Sequence, residues 1–329
     1  MNSNDECSQF PKGDEPLKPV RRPPKMMTDT ENWRSRRFRN FCFCLLILSF
    51  FFLRPLLSLV ALATGSQLHS HILLIPFIFA YLIYLRRDRL TLESPVSIGW
   101  GIPCFLIGSA ALALAFAFPR FSWTVSPSDH LALNVLAFVC FVAAGGCLVL
   151  GSAWMRSLVF PFVFLVFLVP LPNEIVFWLE TASKLASADA ASFFFNISGT
   201  PVLRDGSIFQ LPGIVIEVAQ ECSGIRSSLV LFITSLLVAH LFLKTAWRRI
   251  VLVAFVIPLG ILRNGFRILV IGLLCVHVGP EMINSIIHRK GGPLFFSLSL
   301  IPLFLLLCWL RRGEAESREG LATDPRQLR

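Results

Sequence analysis

Apolar runs close to membrane-spanning length recur along this chain, separated by short polar gaps, and they limit its fold more than any other feature. They fall near residues 41–63, 70–85, 98–118, 131–151, 158–172, 222–243, 250–279 and 293–310. A helix needs about 20 apolar residues to cross a hydrocarbon core of about 30 Å. With 55% hydrophobic residues, the 329-residue chain is too apolar for a soluble domain of its size. The alternation of a membrane β-barrel is absent. The expectation is an all-α polytopic integral membrane protein of about eight transmembrane helices.

The net charge of +10 raises the question of nucleic acid, and its placement argues against it. Basic residues crowd the first 40 positions, then return as Arg86-Arg87-Asp88-Arg89, at Arg156, over residues 244–249, and as Arg311-Arg312. These clusters occupy alternate gaps between apolar runs, which is the positive-inside pattern. Eight crossings then place both termini in the cytoplasm. The expected partner of the basic tail is the lipid bilayer, with no nucleic acid. Residues 1–40 read as a disordered basic cytoplasmic tail, too long, polar and Pro-rich for an ordinary signal peptide. Residues 41–312 form the transmembrane domain, and 313–329 a cytoplasmic C-terminal tail. No fused domain is expected beyond it.

The long external segment is 173–221, expected to form a small α/β cap. Its first part mixes Trp178, Leu179 and Leu185 with Glu180, Lys184 and Asp189, as a helix lying along the interface does. Asp205-Gly206 between apolar positions predicts a hairpin turn. Residues 214–218 read as a short strand leading to Glu221-Cys222-Ser223-Gly224-Ile225-Arg226.

Cys222 stands apart among the nine cysteines. Seven others lie inside apolar runs, where a thiol is a small inert hydrophobe, and Cys7 is in the tail. No CxxC pair or zinc-like spacing occurs, and neither a disulfide framework nor a metal or organic cofactor is expected. Cys222 sits where polarity begins, at a helix N-terminus and near a cation, both of which favour a thiolate. The second element is Arg263-Asn264-Gly265-Phe266-Arg267, inside the next apolar run. Arg263 and Arg267 are four apart and share one helix face. Depth favours Arg267 as the one level with Cys222. The third is His288, in a polar loop before the last helix. Singly, each has a plain alternative: an inert thiol, a snorkelling arginine, a solvated histidine. Arg54 and Arg226 fit the snorkelling description; His277 has no polar company, His69, His71 and His130 lie in short external loops, and His240 is near the inner face. The joint placement on one side of the membrane is what points to chemistry.

These motifs together resemble the exosortase/archaeosortase family, over roughly residues 41–310. The resemblance implies a membrane cysteine protease/transpeptidase that cleaves C-terminal PEP-CTERM-like sorting signals of exported proteins. It implies catalytic Cys222, Arg267 and His288, with Glu221, Ser223, Gly224, Arg226, Arg263 and Asn264 supporting the site or binding substrate. It also implies a bacterial cytoplasmic (inner) membrane location, an active site facing the periplasm, and an acceptor such as exopolysaccharide or lipid. The alternative reading is a non-enzymatic transporter or exopolysaccharide-export assembly factor, in which the arginines bind an anion and Cys222 is incidental. A transporter should line a path through the midplane with polar groups; here they gather toward one face.

Overall fold

The computed structural model describes residues 26–66, 68–86, 97–117, 126–218, 224–279, 281–282 and 291–322. It is a helical bundle with a small sheet at one end. Helix α1 (Met26–Phe51) meets α2 (Leu53–Gly65) at a bend of 79°. Pro55, in the first turn of α2, lacks an N–H and crowds the carbonyl four residues back, which ends α1 at Phe51. A 3₁₀ turn (Ser70–Leu74) leads into α3 (Ile75–Arg86), followed by α4 (Ile98–Ala117) and α5 (Pro127–Val149). Next, α6 (Ser152–Phe164) runs through a 3₁₀ turn (Leu165–Leu168) to a 91° bend before α7 (Asn173–Ile197). Pro170 and Pro172 flank that bend and bar helical continuation. The chain finishes with α8 (Ile225–Phe242), α9 (Ala246–His277) and α10 (Gly292–Ala322).

Five of these helices are long and apolar enough to cross a membrane, or seven if each bent pair is one span. The expected eight adds Ser70–Arg86, an apolar helix shorter than those. Helix α1 begins at Met26, within the segment 1–40 expected to lack structure, and α10 continues to Ala322, past residue 312. No proline interrupts the sequence between Pro24 and Pro55, so the turns ahead of the apolar run can extend its helix.

Three apolar clusters hold the bundle. The largest joins α1 to α6 around Val135, Phe138, Trp154 and Phe162. A second joins α8, α9 and α10 through Leu231, Leu252, Val256 and Leu303. The third lies beneath the cap. There, β1 (Leu203–Asp205), β2 (Ile208–Leu211) and β3 (Ile214–Glu217) form an antiparallel meander. Asp205 pairs with Ile208 across the expected Asp-Gly turn, where Gly206 has φ of 57°. The sheet is tied to α7 by ion pairs from Arg204 to Asp189 (2.6 Å) and from Lys184 to Glu217 (3.8 Å). Those charges complete one side of α7, while Ile175, Trp178 and Leu185 stay exposed, as an interfacial helix requires.

A set of basic residues gathers at the other end. Arg37 donates to Leu150 O, Arg86 to Ser157 O, and Arg248 to Leu310 O and Gly313 O. The Glu314 carboxylate accepts from the backbone N–H groups of Lys244 and Thr245. The described cysteines are all buried or half-buried.

Candidate functional site

Helix α9 carries the centre of the site. Its 32 residues extend about 48 Å at 1.5 Å per residue, well beyond a hydrocarbon core. The excess length is taken up by the cap: Ile268, Ile271 and Cys275 pack with Phe195, Phe209, Leu211 and Ile216. This answers a difficulty in the sequence, where a largely apolar stretch, 268–279, follows Arg267 although Arg267 is expected near one membrane surface. Of these residues, Ile268, Leu269, Ile271, Cys275 and Val276 belong to the apolar cluster beneath the cap.

Glycines on α9 let its neighbours approach. A Cβ at Gly272 would lie 2.5 Å from the Phe195 ring, and one at Gly265 would lie 2.6 Å from Ala190 Cβ. At Gly260 the obstacle would be Ser228 Oγ, 2.7 Å away. Helix α9 is thus wedged against α7 along one face and α8 along another, with the Arg263-Asn264 pair between.

At that junction the first residue before α8, Gly224, adopts φ of 74°. A left-handed conformation is available to glycine without the steric cost other residues meet. A Cβ there would also come within 3.0 Å of the Asn264 side chain. The Gly224 carbonyl is a hub. It accepts the Ser228 N–H (3.0 Å), the Ser227 hydroxyl (3.0 Å) and Arg263 Nη2 (3.2 Å). Arg263 Nη2 also donates to Ser228 Oγ at 3.1 Å. The arginine is only 8% exposed and Asn264 only 3%. Arg263 Nη1 is buried and finds no hydrogen-bond partner among the described residues. A buried guanidinium with an N–H to spare, beside the positive end of a helix, is a ready site for developing negative charge.

Structure therefore joins three residues assigned to the site from sequence: Gly224, Arg263 and Asn264. Arg267 lies one turn further toward the cap and is half-buried. Arg226 is exposed, one residue into α8. Glu221, Cys222, Ser223 and His288 lie outside the described residues. The flanks of His288 are placed, however. Met282 packs on the cap core, and Phe295 in the first turn of α10 meets Phe266 with ring centroids 6.4 Å apart. Phe266 lies between Arg263 and Arg267 in sequence, so the first turn of α10 sits beside this stretch of α9.

A family model described as transmembrane exosortase matches residues 61–305. The chain belongs to the transmembrane exosortase family. The match spans most of the bundle, from α2 to α10, and includes the cap and both site motifs. No curated protein and no solved structure matches the chain.

Two elements of this candidate site in the exosortase-family chain escaped the sequence reading. Ser228 is the second oxygen on Arg263, and Gly260 is what lets Ser228 come that close. The available signal was a serine pair opening an apolar helix and a glycine three residues before an intramembrane arginine. The other histidines also differ from simple solvated loops. His69 and His71 are buried, with Nδ1 near Ser66 Oγ (3.2 Å) and Leu68 O (3.1 Å) respectively. His240 contacts Arg86 and stacks on Phe160.

Proposed function

We propose that this protein is a membrane-embedded cysteine protease/transpeptidase that cleaves C-terminal sorting signals of the PEP-CTERM kind from exported proteins. The observation that carries the reading is the Arg263 grip on Gly224 and Ser228, which couples the Cys222 motif to the Arg263–Arg267 motif. Cys222 is two residues from Gly224, so about 7 Å of extended chain at most separates the two.

In this reading the Cys222 thiolate attacks the carbonyl carbon of the scissile peptide. The carbonyl oxygen becomes an oxyanion, held by guanidinium N–H groups. Arg267 stabilises the thiolate and the oxyanion; Arg263 fixes the start of α8 and turns its spare N–H toward the same charge. Collapse of the tetrahedral intermediate breaks the C–N bond. His288 takes the thiol proton at the start and returns it to the departing amine, releasing the hydrophobic tail. A second nucleophile, either an amine or hydroxyl of the acceptor or water, then displaces Cys222 from the thioester and regenerates the thiol. Glu221, Ser223, Asn264 and Arg226 shape the cleft and contact substrate. The protein acts in a bacterial inner membrane with the cap and site facing the periplasm.

The test is the size of a reporter bearing a C-terminal sorting signal, followed on a gel in cells producing the wild type or variants. Cys222→Ala and Cys222→Ser should leave the tail attached while the protein still accumulates in the membrane. Tail removal by Cys222→Ala at the wild-type rate would eliminate thiol catalysis and favour a transport or assembly role.

A further inference from the structure

At the end of the bundle opposite the cap, a cavity of about 380 Å³ opens between α3, α6, α8 and α9. This volume falls within the range of small-molecule sites, about 300–1,000 Å³. Its polar lining is Arg86, His240, Lys244 and Arg249, and among the described residues none that lines it is acidic. The nearby carboxylate of Glu314 is turned to the backbone N–H groups of Lys244 and Thr245.

The groups are fixed in place. Arg86 Nη1 donates to Ser157 O at 3.1 Å, and Nη2 lies 2.8 Å from His240 Nε2. A guanidinium can only donate, so Nε2 accepts, and the imidazole is the neutral form with its proton on Nδ1. The ring is clamped by Phe160, stacked 3.6 Å away and within 3° of parallel. Arg249 Nε donates to Leu243 O at 2.8 Å. Arg86, His240 and Arg249 are half-buried, and Lys244 stands exposed at the rim. Three permanent positive charges thus surround a concave space. A merely solvated basic face would spread them over a convex surface.

A second, apolar groove of about 310 Å³ begins at the same two residues, His240 and Arg249. It runs along α8 and α9 toward the bundle middle, past Phe232, Leu236, Val253 and Ile257. A basic pocket that opens into an apolar groove matches an amphiphile with an anionic head and a hydrocarbon tail.

We propose that this composite cavity binds an anionic glycerophospholipid, with its phosphate among Arg86, Lys244 and Arg249 and one acyl chain along the α8–α9 groove. Basic pockets between membrane helices recognise such headgroups by charge, at about 1 kcal/mol per Lys or Arg near the membrane surface. The groove commits the site to lipid over soluble phosphate, because a free anion would leave the apolar half empty. The site is separate from the Arg263 junction, and the inference stands whether or not the protein cleaves sorting signals.

The test uses the full-length chain in detergent, with bound lipid counted by native mass spectrometry. Dioleoyl phosphatidylglycerol should remain as a one-to-one adduct under conditions that strip dioleoyl phosphatidylcholine. The double variant Arg86→Gln, Arg249→Gln should weaken the adduct about thirtyfold, the effect of two basic contacts, at unchanged helical circular dichroism. A wild-type measurement covers the case in which that variant does not accumulate. Phosphatidylglycerol with a photoactivatable acyl chain should crosslink to α8 and α9 between Phe232 and Ile257. Equal retention of the two lipids, crosslinks confined to other helices, or unchanged binding by a folded double variant would each overturn the proposal. Displacement of the lipid by inorganic phosphate alone would also overturn it, in favour of a soluble-anion site.

Discussion

Arg263 illustrates how one buried cation can be both structural and chemical. Its Nη2 spans Gly224 O and Ser228 Oγ, while Nη1 is left for another partner. Truncating it removes a charged hydrogen bond from a helix start and the positive charge beside it. Arg263→Ala and Arg267→Ala should each lower reporter processing about 100-fold or more, the scale for losing a donor to an oxyanion. Lysine distinguishes the two. A compact ammonium cannot span two oxygens as the guanidinium does, so Arg263→Lys should stay impaired. Arg267→Lys should recover part of the rate if charge is its main contribution. Equal rescue at both positions, measured as initial rates at matched protein levels, would rule out this division of roles.

His69 gives a pH prediction. Burial, reinforced by the neighbouring His71, holds its pKa below the ordinary histidine value of about 6.5. Its Nε2 is buried and finds no partner among the described residues. The folded state therefore resists protonation more than the unfolded state does. The stability it contributes is complete above about pH 6.5 and falls as the pH drops below that value toward the depressed one. Thermal unfolding in detergent should show a lower midpoint at pH 5 than at pH 7. His69→Gln should shrink that difference; an unchanged pH dependence would exclude His69 as a cause.

At the scale of elements, α9 is the piece on which the rest is assembled. It crosses the bundle beside α8 and α10, then rises into the cap core. Its glycines set the spacing. Gly272→Leu forces a side chain into the Phe195 ring, and overpacking of this kind costs about 1–3 kcal/mol. Protease sensitivity of the cap between residues 199 and 214 should rise in that variant, with the basic end of the bundle unaffected. Gly224→Ala combines a left-handed φ with the Asn264 contact, so it should impair processing more than folding. The salt bridges of the cap are a contrast. Asp189 is 72% exposed, so Asp189→Asn should change stability by only about 0.2–1 kcal/mol in urea unfolding of the purified protein.

At the scale of the whole molecule, two ends of opposite character face each other. The cap end holds the sheet, α7 and the arginine junction; the other holds Arg37, Arg86, Lys244, Arg248 and Arg249. That polarity is what the positive-inside rule needs, and it predicts the labelling pattern. Single cysteines placed at 180, 204 and 213 should react with an impermeant reagent added outside the cell. Cysteines at 244 and 312 should react only after permeabilisation. Labelling of the cap from the cytoplasmic side alone would reverse the orientation and move the site with it. Eight crossings require Ser70–Arg86 to span, so a tag after residue 66 and one after residue 90 should report opposite sides.

The apolar run lengths alone determined a polytopic helical bundle, because a bilayer accepts little else for such a chain. The Asp205-Gly206 turn, the strand at 214–217, the amphipathic α7 and the two site motifs were legible for similarly local reasons, being carried by neighbouring residues. The bends at Phe52 and before Asn173 were marked by prolines, but their angles were not, since they depend on what the second helix packs against. Sequence depth favoured Arg267 as the cysteine's neighbour, and only the packed bundle showed Arg263 reaching the start of α8. Which arginine approaches which helix depends on rotation and closeness of helices, set here by the absent side chains of Gly260 and Gly265. The basic pocket of Arg86, His240, Lys244 and Arg249 was likewise invisible, because Arg86 is more than 150 positions from the other three. Run length and charge order belong to a sequence; a contact between residues more than a hundred positions apart exists only once the helices have packed.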